Sequence, residues 1–295
     1  KFPAMNELLD AIRIYMPSLS SSQHKGEMGR LAVIGGSKEY TGAPYFSGMS
    51  ALLCGADLVH IICSHHAAST IKAYSPDLIV HPDLDQNLDS AKHWVERVHA
   101  IVLGPGLGLD DNISNATALL SYALDHSKPV VIDADGLSIV TNNLKLICGR
   151  ENVILTPNVV EFQRLFKAAF NVAPSDDASA TSKLANQLGG VTIVHKGPVD
   201  VISNGTMSNE QGSPRRCGGQ GDLLSGAAVT FFNWFRNAEE LKKTLPFPAG
   251  IGAAFAACAL TRRCARLAFG KYRRSMVTAN MLPEVQHAFQ SLFGS

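Results

Sequence analysis

The chain has 295 residues, 46% of them hydrophobic and 17% charged, with 26 Lys and Arg against 25 Asp and Glu. A chain of this length and composition buries a large core without disulfide or metal staples, which excludes a small stapled scaffold and a disordered polymer. A formal charge of +1 and 7% aromatic residues supply neither a basic face for phosphate backbones nor a base-stacking platform, so nucleic acid is not an expected partner.

Short β-branched runs, each followed by a segment of helical spacing, recur along the chain. In order, strands are predicted over 31–34, 58–63, 78–80, 100–103, 130–132, 153–155 and 191–195, and helices over 45–56, 91–98, 113–124, 159–170 and 178–188. Residues 199–203 followed by Asn204-Gly205 read as a hairpin, because Asn-Gly supplies the positive φ angles of a type I′ turn. Two long helices, 222–235 and 250–269, complete the chain. Alternating strands and helices predict an α/β fold: a mostly parallel central sheet with helices on both faces. Neither a repeat nor a composition shift marks a boundary, so residues 1–295 are read as one domain.

The six cysteines are dispersed and form no CxxC pair, which fits a reducing compartment. The longest apolar run, 245–260, is broken by Pro246 and Pro248 and is too short to span a bilayer, so no membrane partner is expected. The first residue is Lys1 rather than Met; the cytoplasm is the expected compartment, or the mitochondrion if a targeting peptide has been removed.

In a parallel sheet, ligands bind beyond the carboxyl ends of the strands, which directs attention to the residues after each strand. Gly104-Pro105-Gly106-Leu107-Gly108 is either a simple turn or an anion cradle, and it lacks the GxGxxG spacing. Cys217-Gly218-Gly219-Gln220-Gly221-Asp222 is more informative. Asp222 could merely cap the helix it opens, but a cap needs one small polar residue, whereas three glycines in four positions imply a backbone that an anion approaches. Lys196, at a strand end, is either solvated or placed to neutralise phosphate. Arg215 and Arg216 either clamp a polyphosphate or keep their loop soluble, the latter fitting Arg216 slightly better. Asp133 and Asp135 alternate, so at most one faces a ligand directly. His65 and His66 are adjacent and are read as surface residues that point apart. GxxxxGK[ST], HExxH and GxSxG motifs are absent, as is a zinc-like Cys/His spacing.

Taken in order, Gly35-Gly36-Ser37, Tyr40-Thr41-Gly42-Ala43-Pro44, Gly104 to Gly108, Asp133-Ala134-Asp135-Gly136-Leu137, Thr156-Pro157-Asn158-Val159-Val160-Glu161-Phe162, Lys196-Gly197 and Gly218-Gly219-Gln220-Gly221-Asp222 resemble the ATP- or ADP-dependent NAD(P)H-hydrate dehydratases, of ribokinase-like fold. The resemblance runs from about Lys25 to Val285. It implies repair of nicotinamide cofactors hydrated at C6: ATP phosphorylates the hydroxyl, and phosphate leaves to restore NADH or NADPH. Phosphate is a far better leaving group than hydroxide, so the protein has chiefly to position two ligands and offset phosphate charge.

Carried over residue by residue, the resemblance makes Asp222 the base that deprotonates the hydroxyl. It places Ala43, Gly106, Asn158, Val159, Val160, Glu161, Phe162, Gln163 and Arg164, with Asp222, on the hydrated dinucleotide (NADHX or NADPHX). It places Lys196, Gly197, Pro198, Val199 and Asp200 on ATP, with Gly212, Ser213, Pro214, Arg215, Arg216, Cys217, Gly218, Gly219, Gln220 and Gly221. Mg²⁺ is implied as a cofactor, without assigned ligands. Bacterial members usually carry His where this chain has Asn158; Asn hydrogen-bonds but does not titrate, so an acid/base role does not transfer. The Asn158 to Phe162 run and Tyr45-Phe46 look like the eukaryotic branch, which favours ATP over ADP. A separate epimerase and a homo-oligomeric state are also expected. Two rival readings are a kinase of a small vitamin-precursor alcohol, and a nucleotide sensor without turnover, which presence of Asp222 disfavours.

Overall fold

The computed structural model describes residues 5–108, 112–175, 179–203, 205–208, 210–241 and 245–294. In chain order its elements are α1 (Met5–Tyr15), β1 (Arg30–Ile34), α2 (Gly42–Cys54), β2 (Leu58–Ile62), α3 (His65–Tyr74), β3 (Ile79–His81), α4 (Leu88–Arg97), β4 (Ala100–Leu103), α5 (Ile113–Asp125), β5 (Val130–Ile132), α6 (Asp135–Asn142), β6 (Val153–Leu155), α7 (Val159–Phe170), α8 (Ser179–Gln187), β7 (Thr192–His195), β8 (Asp200–Ile202), β9 (Met207–Ser208), α9 (Gln220–Glu240), α10 (Ala249–Tyr272) and α11 (Val285–Phe293). The strands form one sheet in the order β3-β2-β1-β4-β5-β6-β7-β8-β9. Pairing is parallel from β3 through β7, while β8 and β9 add antiparallel.

Strands such as Val130–Ile132 and Ala100–Leu103 are apolar throughout because both faces are covered. Their alternation sorts the core into two layers. Leu31, Val33, Val59, Val102, Val131 and Ile154 pack with the long helices α9 and α10, whereas Ala32, Ile34, Ile101, Leu103, Ile132 and Leu155 face the cluster that includes Ala91 of α4, Leu120 of α5, Phe162 of α7 and Leu184 of α8. The expected hairpin is present as β8 and β9, with Gly205 at φ 83; Asn204 lies outside the described residues. α9 and α10 are longer than the sequence pattern indicates, and α1, α3, α6 and α11 join the expected set.

One helix contact positions the site. A Cβ on Gly226 of α9 would stand 2.0 Å from the Ser47 carbonyl oxygen of α2, so only glycine permits this approach. Ser47 and Ser225 meet hydroxyl to hydroxyl at 3.1 Å, and Ser50 Oγ donates to the Leu223 carbonyl at 2.7 Å. The middle of α2 is thereby fixed against the first two turns of α9. Among the described residues, no helix is long and apolar enough to cross a membrane. All six cysteines are free thiols, and Cys54, Cys63, Cys258 and Cys264 are buried.

Candidate active site

The ends of three neighbouring strands form the floor. Asp133 follows β5, Thr156 follows β6 and Lys196 follows β7. Asp133 is 2% exposed, and its Oδ1 accepts from Thr156 Oγ1 at 2.7 Å and from Lys196 Nζ at 2.9 Å. Burial works against the Lys196 ammonium, yet Asp133, with Glu161 and Asp222, outweighs it and holds the lysine above its ordinary pKa. Lys196 is therefore no solvated strand end. Asp135 plays the other part open to this pair: its carboxylate accepts the Gly108 N–H at 3.0 Å.

Above the floor lies the glycine turn. The helix opens at Gln220 and not at Asp222, with Gly219 as its N-cap at φ 94, so Asp222 occupies the first turn without capping it. Leu223 donates to the Gly219 carbonyl, but the N–H groups of residues 218–222 meet no protein acceptor among the described residues. Thr278 Oγ1 pins the turn by donating to the Gly218 carbonyl at 2.6 Å. Gly219 is also pressed from below, since a Cβ there would stand 3.1 Å from Phe46 of α2. Burial, with the Asp133 carboxylate nearby, pushes the Asp222 carboxyl up to about 8 against the opposing pull of Lys196. A carboxyl so placed takes up and releases a proton near neutral pH.

A cavity of about 970 Å³ opens beside this turn. Its walls bring together most of the residues expected on the nucleotide: Lys196 to Asp200, Gly212, Ser213, Arg216, Cys217, Gln220 and Gly221. Pro214, Arg215, Gly218 and Gly219 stand outside the lining. Arg215 is turned away, donating to the Met276 carbonyl, whereas Arg216 lines the cavity and makes no hydrogen bond or ion pair among the described residues, the reverse of their expected ranking. Asp200 lines the cavity with its carboxylate already engaged, accepting from Arg262 Nε at 2.6 Å and from the Gly197 N–H at 3.2 Å. The same guanidinium donates to the carbonyls of Pro198 and Gly197, so Arg262 of α10 orders this whole turn.

The expected dinucleotide residues divide. Ala43 and Gly106 adjoin, with 3.3 Å between the Ala43 Cβ and a Cβ built on Gly106, next to the α2 start. Gly104, at φ 123, packs against the floor so closely that a Cβ would fall 1.9 Å from the Asp133 carbonyl oxygen, so only glycine permits this approach. Asn158, Val159 and Val160 line the cavity. The Asn158 side-chain oxygen caps α7 by accepting from the Val160 and Glu161 N–H groups, and Glu161 answers by accepting the Asn158 N–H at 2.8 Å. Burial lifts the Glu161 carboxyl above its ordinary pKa, the Asn158 N–H and Lys196 offsetting part of the rise. Gln163 and Arg164 are exposed. The Phe162 ring is buried, stacked on His195 at 4.0 Å, and borders a smaller cavity with Val159, Gln163 and Gly197 rather than the large one. His65 and His66 lie at the surface as expected, but their rings pack together at 3.7 Å instead of pointing apart.

Thr156, Arg262, Thr278 and Phe46 are not among the expected site residues, and Asp133 enters only as one of an alternating pair and as part of a resemblance motif. Asp133 and Thr156 stand directly after strands and within motifs that carry the family resemblance, and those are the sequence signals available for them. Arg262 and Thr278 reach the site from the far C-terminal third, which no local pattern reveals.

Fold and site together define a ribokinase-like α/β protein with an unpaired N–H cluster at the start of α9 among the described residues. A solved ribokinase-like superfamily protein from Enterococcus faecalis superposes with a TM-score of 0.74 at 22% identity, covering 97% of this chain and 95% of that one. The ADP/ATP-dependent NAD(P)H-hydrate dehydratase of Bacillus subtilis, co-crystallised with ATP/Mg²⁺, superposes with a TM-score of 0.69 at 23% identity, covering 95% and 97%. The NAD(P)H-hydrate dehydratase family model matches residues 31–287. A relative from Rattus norvegicus, an ATP-dependent (S)-NAD(P)H-hydrate dehydratase, is 46% identical over 98% of this chain and 86% of its own length. The chain belongs to the NAD(P)H-hydrate dehydratase family.

Proposed function

We propose that the chain repairs hydrated nicotinamide cofactors, converting (6S)-NAD(P)H hydrate to NAD(P)H at the expense of ATP. The observation that carries the reading is the unpaired N–H cluster at the start of α9, with Asp222 in its first turn and Lys196 beneath, opening on a cavity large enough for a nucleotide. Asp222 takes the proton of the C6 hydroxyl as that oxygen attacks the γ-phosphorus and ADP departs. The C6–O bond of the phosphate ester then breaks, phosphate leaves, and loss of a proton from C5 restores the dihydropyridine. The N–H groups of residues 218–222 hold the transferring phosphoryl oxygens, and Lys196 and Arg216 offset their charge.

The relatives' ATP dependence and the Bacillus co-crystal support ATP with Mg²⁺ as the nucleotide form. Among the described residues no three His, Cys, Asp or Glu side chains converge as a cage, which fits an ion held mainly by phosphate oxygens and water. Bound there, Mg²⁺ would neutralise charge developing on the nucleotide's oxygens. On the cavity wall Lys196 is already paired with Asp133 and Arg262 with Asp200, which leaves Arg216 as the unpaired cation among the described residues, so added cation charge is needed.

The (S) stereochemistry in the relative's name supports a separate epimerase that supplies this epimer, and a homo-oligomeric state is proposed with it. The test is near-ultraviolet absorbance of the dihydronicotinamide after mixing purified protein, ATP, Mg²⁺ and hydrated NADH. Absorbance should rise with all components present and stay flat without nucleotide or with EDTA. An equal rise after nucleotide removal overturns the phosphorylation route.

A further inference from the structure

Three adjacent strand ends carry Asp133, Thr156 and Lys196, two of which, Asp133 and Lys196, reach the first turn of α9 at Gly221, so sheet register fixes their spacing. Both donors to Asp133 use Oδ1. Its Oδ2 faces Gly221, 3.7 Å from where a Cβ on that glycine would stand, and the Lys196 ammonium lies 3.2 Å from the same point. A helix start carries partial positive charge, so a lone ammonium there is unfavourable and requires an anion to hold it. Ala134 sits at φ 47, ψ −123, a region that side chains with a Cβ rarely adopt. That backbone is clamped by the Gly136 N–H, which donates to the Asp133 carbonyl at 3.0 Å, and it holds Asp133 in aim.

We infer that Asp133, Thr156 and Lys196 are positioning residues for Asp222: Thr156 orients Asp133, Asp133 anchors the lysine, and the two opposite charges together decide when Asp222 is free to accept a proton. The inference rests on Asp222 being the base of the proposed reaction. The other elements around Asp222 leave this balance undisturbed. α2 carries no charged side chain, Glu161 of α7 stands on the Lys196 side within its capping box, and Arg262 of α10 is tied to Asp200. Burial and Asp133 raise the proton affinity of Asp222, and Lys196 lowers it.

The proton lost by the hydroxyl passes to an Asp222 oxygen. Its O–H electron pair forms the new bond to phosphorus, and the pair of the cleaved P–O bond leaves with ADP.

The test follows kcat/KM for the hydrate against pH at saturating ATP and Mg²⁺, together with carboxyl-carbon NMR of Asp222, assigned by its disappearance in D222N. Asp133→Asn keeps shape and acceptor oxygen but removes a negative charge; the acidic limb and the Asp222 titration should both move to lower pH by about one unit. Lys196→Gln should move both to higher pH by a similar amount. A purely structural role would lower rates in both variants without moving either. Unmoved titrations, or shifts in the same direction, overturn the inference. If Asp133→Asn does not fold, Lys196→Gln alone decides, because its titration must rise. A moved NMR titration with an unmoved kinetic limb keeps the coupling and overturns Asp222 as base; an unmoved titration with activity lost in D222N does the reverse.

Discussion

The molecule buries ionisable side chains in two places and treats them in opposite ways. At the β2–β3 edge, His60 and His81 share a 2.9 Å hydrogen bond and stack with Trp94 at 5.4 and 4.0 Å. Burial, with Arg97 and Arg30 nearby, lowers the His60 pKa; burial and His60 lower His81 to about 4. Both rings are therefore neutral at pH 7 and hydrogen-bonded to one another. Beneath α9, by contrast, Asp133 and Lys196 stay oppositely charged, and the N–H groups above them are unpaired. Keeping charge under cover is costly unless it is paired. Burial of a titratable group is thus a poor marker of a site; retained charge next to unpaired donors and a cavity is a good one.

The largest effect should come from the group on which this contrast turns. Asp222→Asn should lower turnover by roughly 10² to 10⁴, the usual worth of a general base. Melting temperature should not fall, because Gly219 and not Asp222 caps the helix. Asp222 binds its proton more tightly folded than unfolded, so ionising it opposes folding. That cost is absent below the unfolded value of 3.8, grows as pH rises, and is complete above about 8. The variant should therefore melt higher than wild type, by a margin that widens across that window. Near-normal turnover in a folded variant would remove the base from the site.

Lys196→Ala should come next. Loss of one charge-assisted contact is worth roughly ten- to a hundredfold, and it should fall on KM for ATP more than on KM for the hydrate. An unchanged KM for ATP with a raised KM for the hydrate would exchange the two subsites.

The histidine edge should respond to acid and not to substrate. Its rings charge in the unfolded chain near 6.5 but, for His81, only near 4 when folded, so their contribution is intact above 6.5 and is lost as pH falls toward 4. His81→Gln keeps a hydrogen-bonding group and removes the titration. Thermal melts should show a shallower loss of stability between those values, with turnover at pH 7 near wild type; an unchanged acid profile would mean that the cluster stays folded when charged.

Much of this was legible in the sequence. Seven strands declared themselves as short apolar runs, because a parallel sheet covered on both faces leaves no polar alternation to confuse them. The glycine turn before Asp222 and the Asn158 to Glu161 run stood out through residue chemistry alone. Missing helices have physical reasons: α6 (DGLSIVTN) opens with glycine near its start and holds β-branched residues, so its helical state comes from tertiary packing rather than propensity. α3 begins with two histidines, although Ser64 caps it by accepting the His66 N–H. Phe162 of α7 sends its ring into the core while its neighbour Glu161 stays half-buried in the capping box, a division between adjacent helix positions that the sequence run alone does not show. Arg262 and Thr278 were invisible because the contacts that make them matter span about sixty residues of chain.

The smallest effect tests whether the floor is under tension. Ala134 has a positive φ that glycine adopts without steric cost, and it lies between Asp133, which anchors Lys196, and Asp135, which holds Gly108. Such a conformation costs a residue with a Cβ on the order of 1 to 3 kcal/mol. Ala134→Gly removes that cost but adds unfolded-chain freedom worth about 0.5 to 1 kcal/mol, so a modest net gain in denaturant midpoint is expected. The same freedom loosens the aim of Asp133. Turnover should therefore fall slightly while stability rises, a pairing that simple strain relief would not give. If both rise together, the strained turn is only a fault in packing; if stability drops, the Gly136 and Gly108 hydrogen bonds, and not the alanine, set the conformation of this turn.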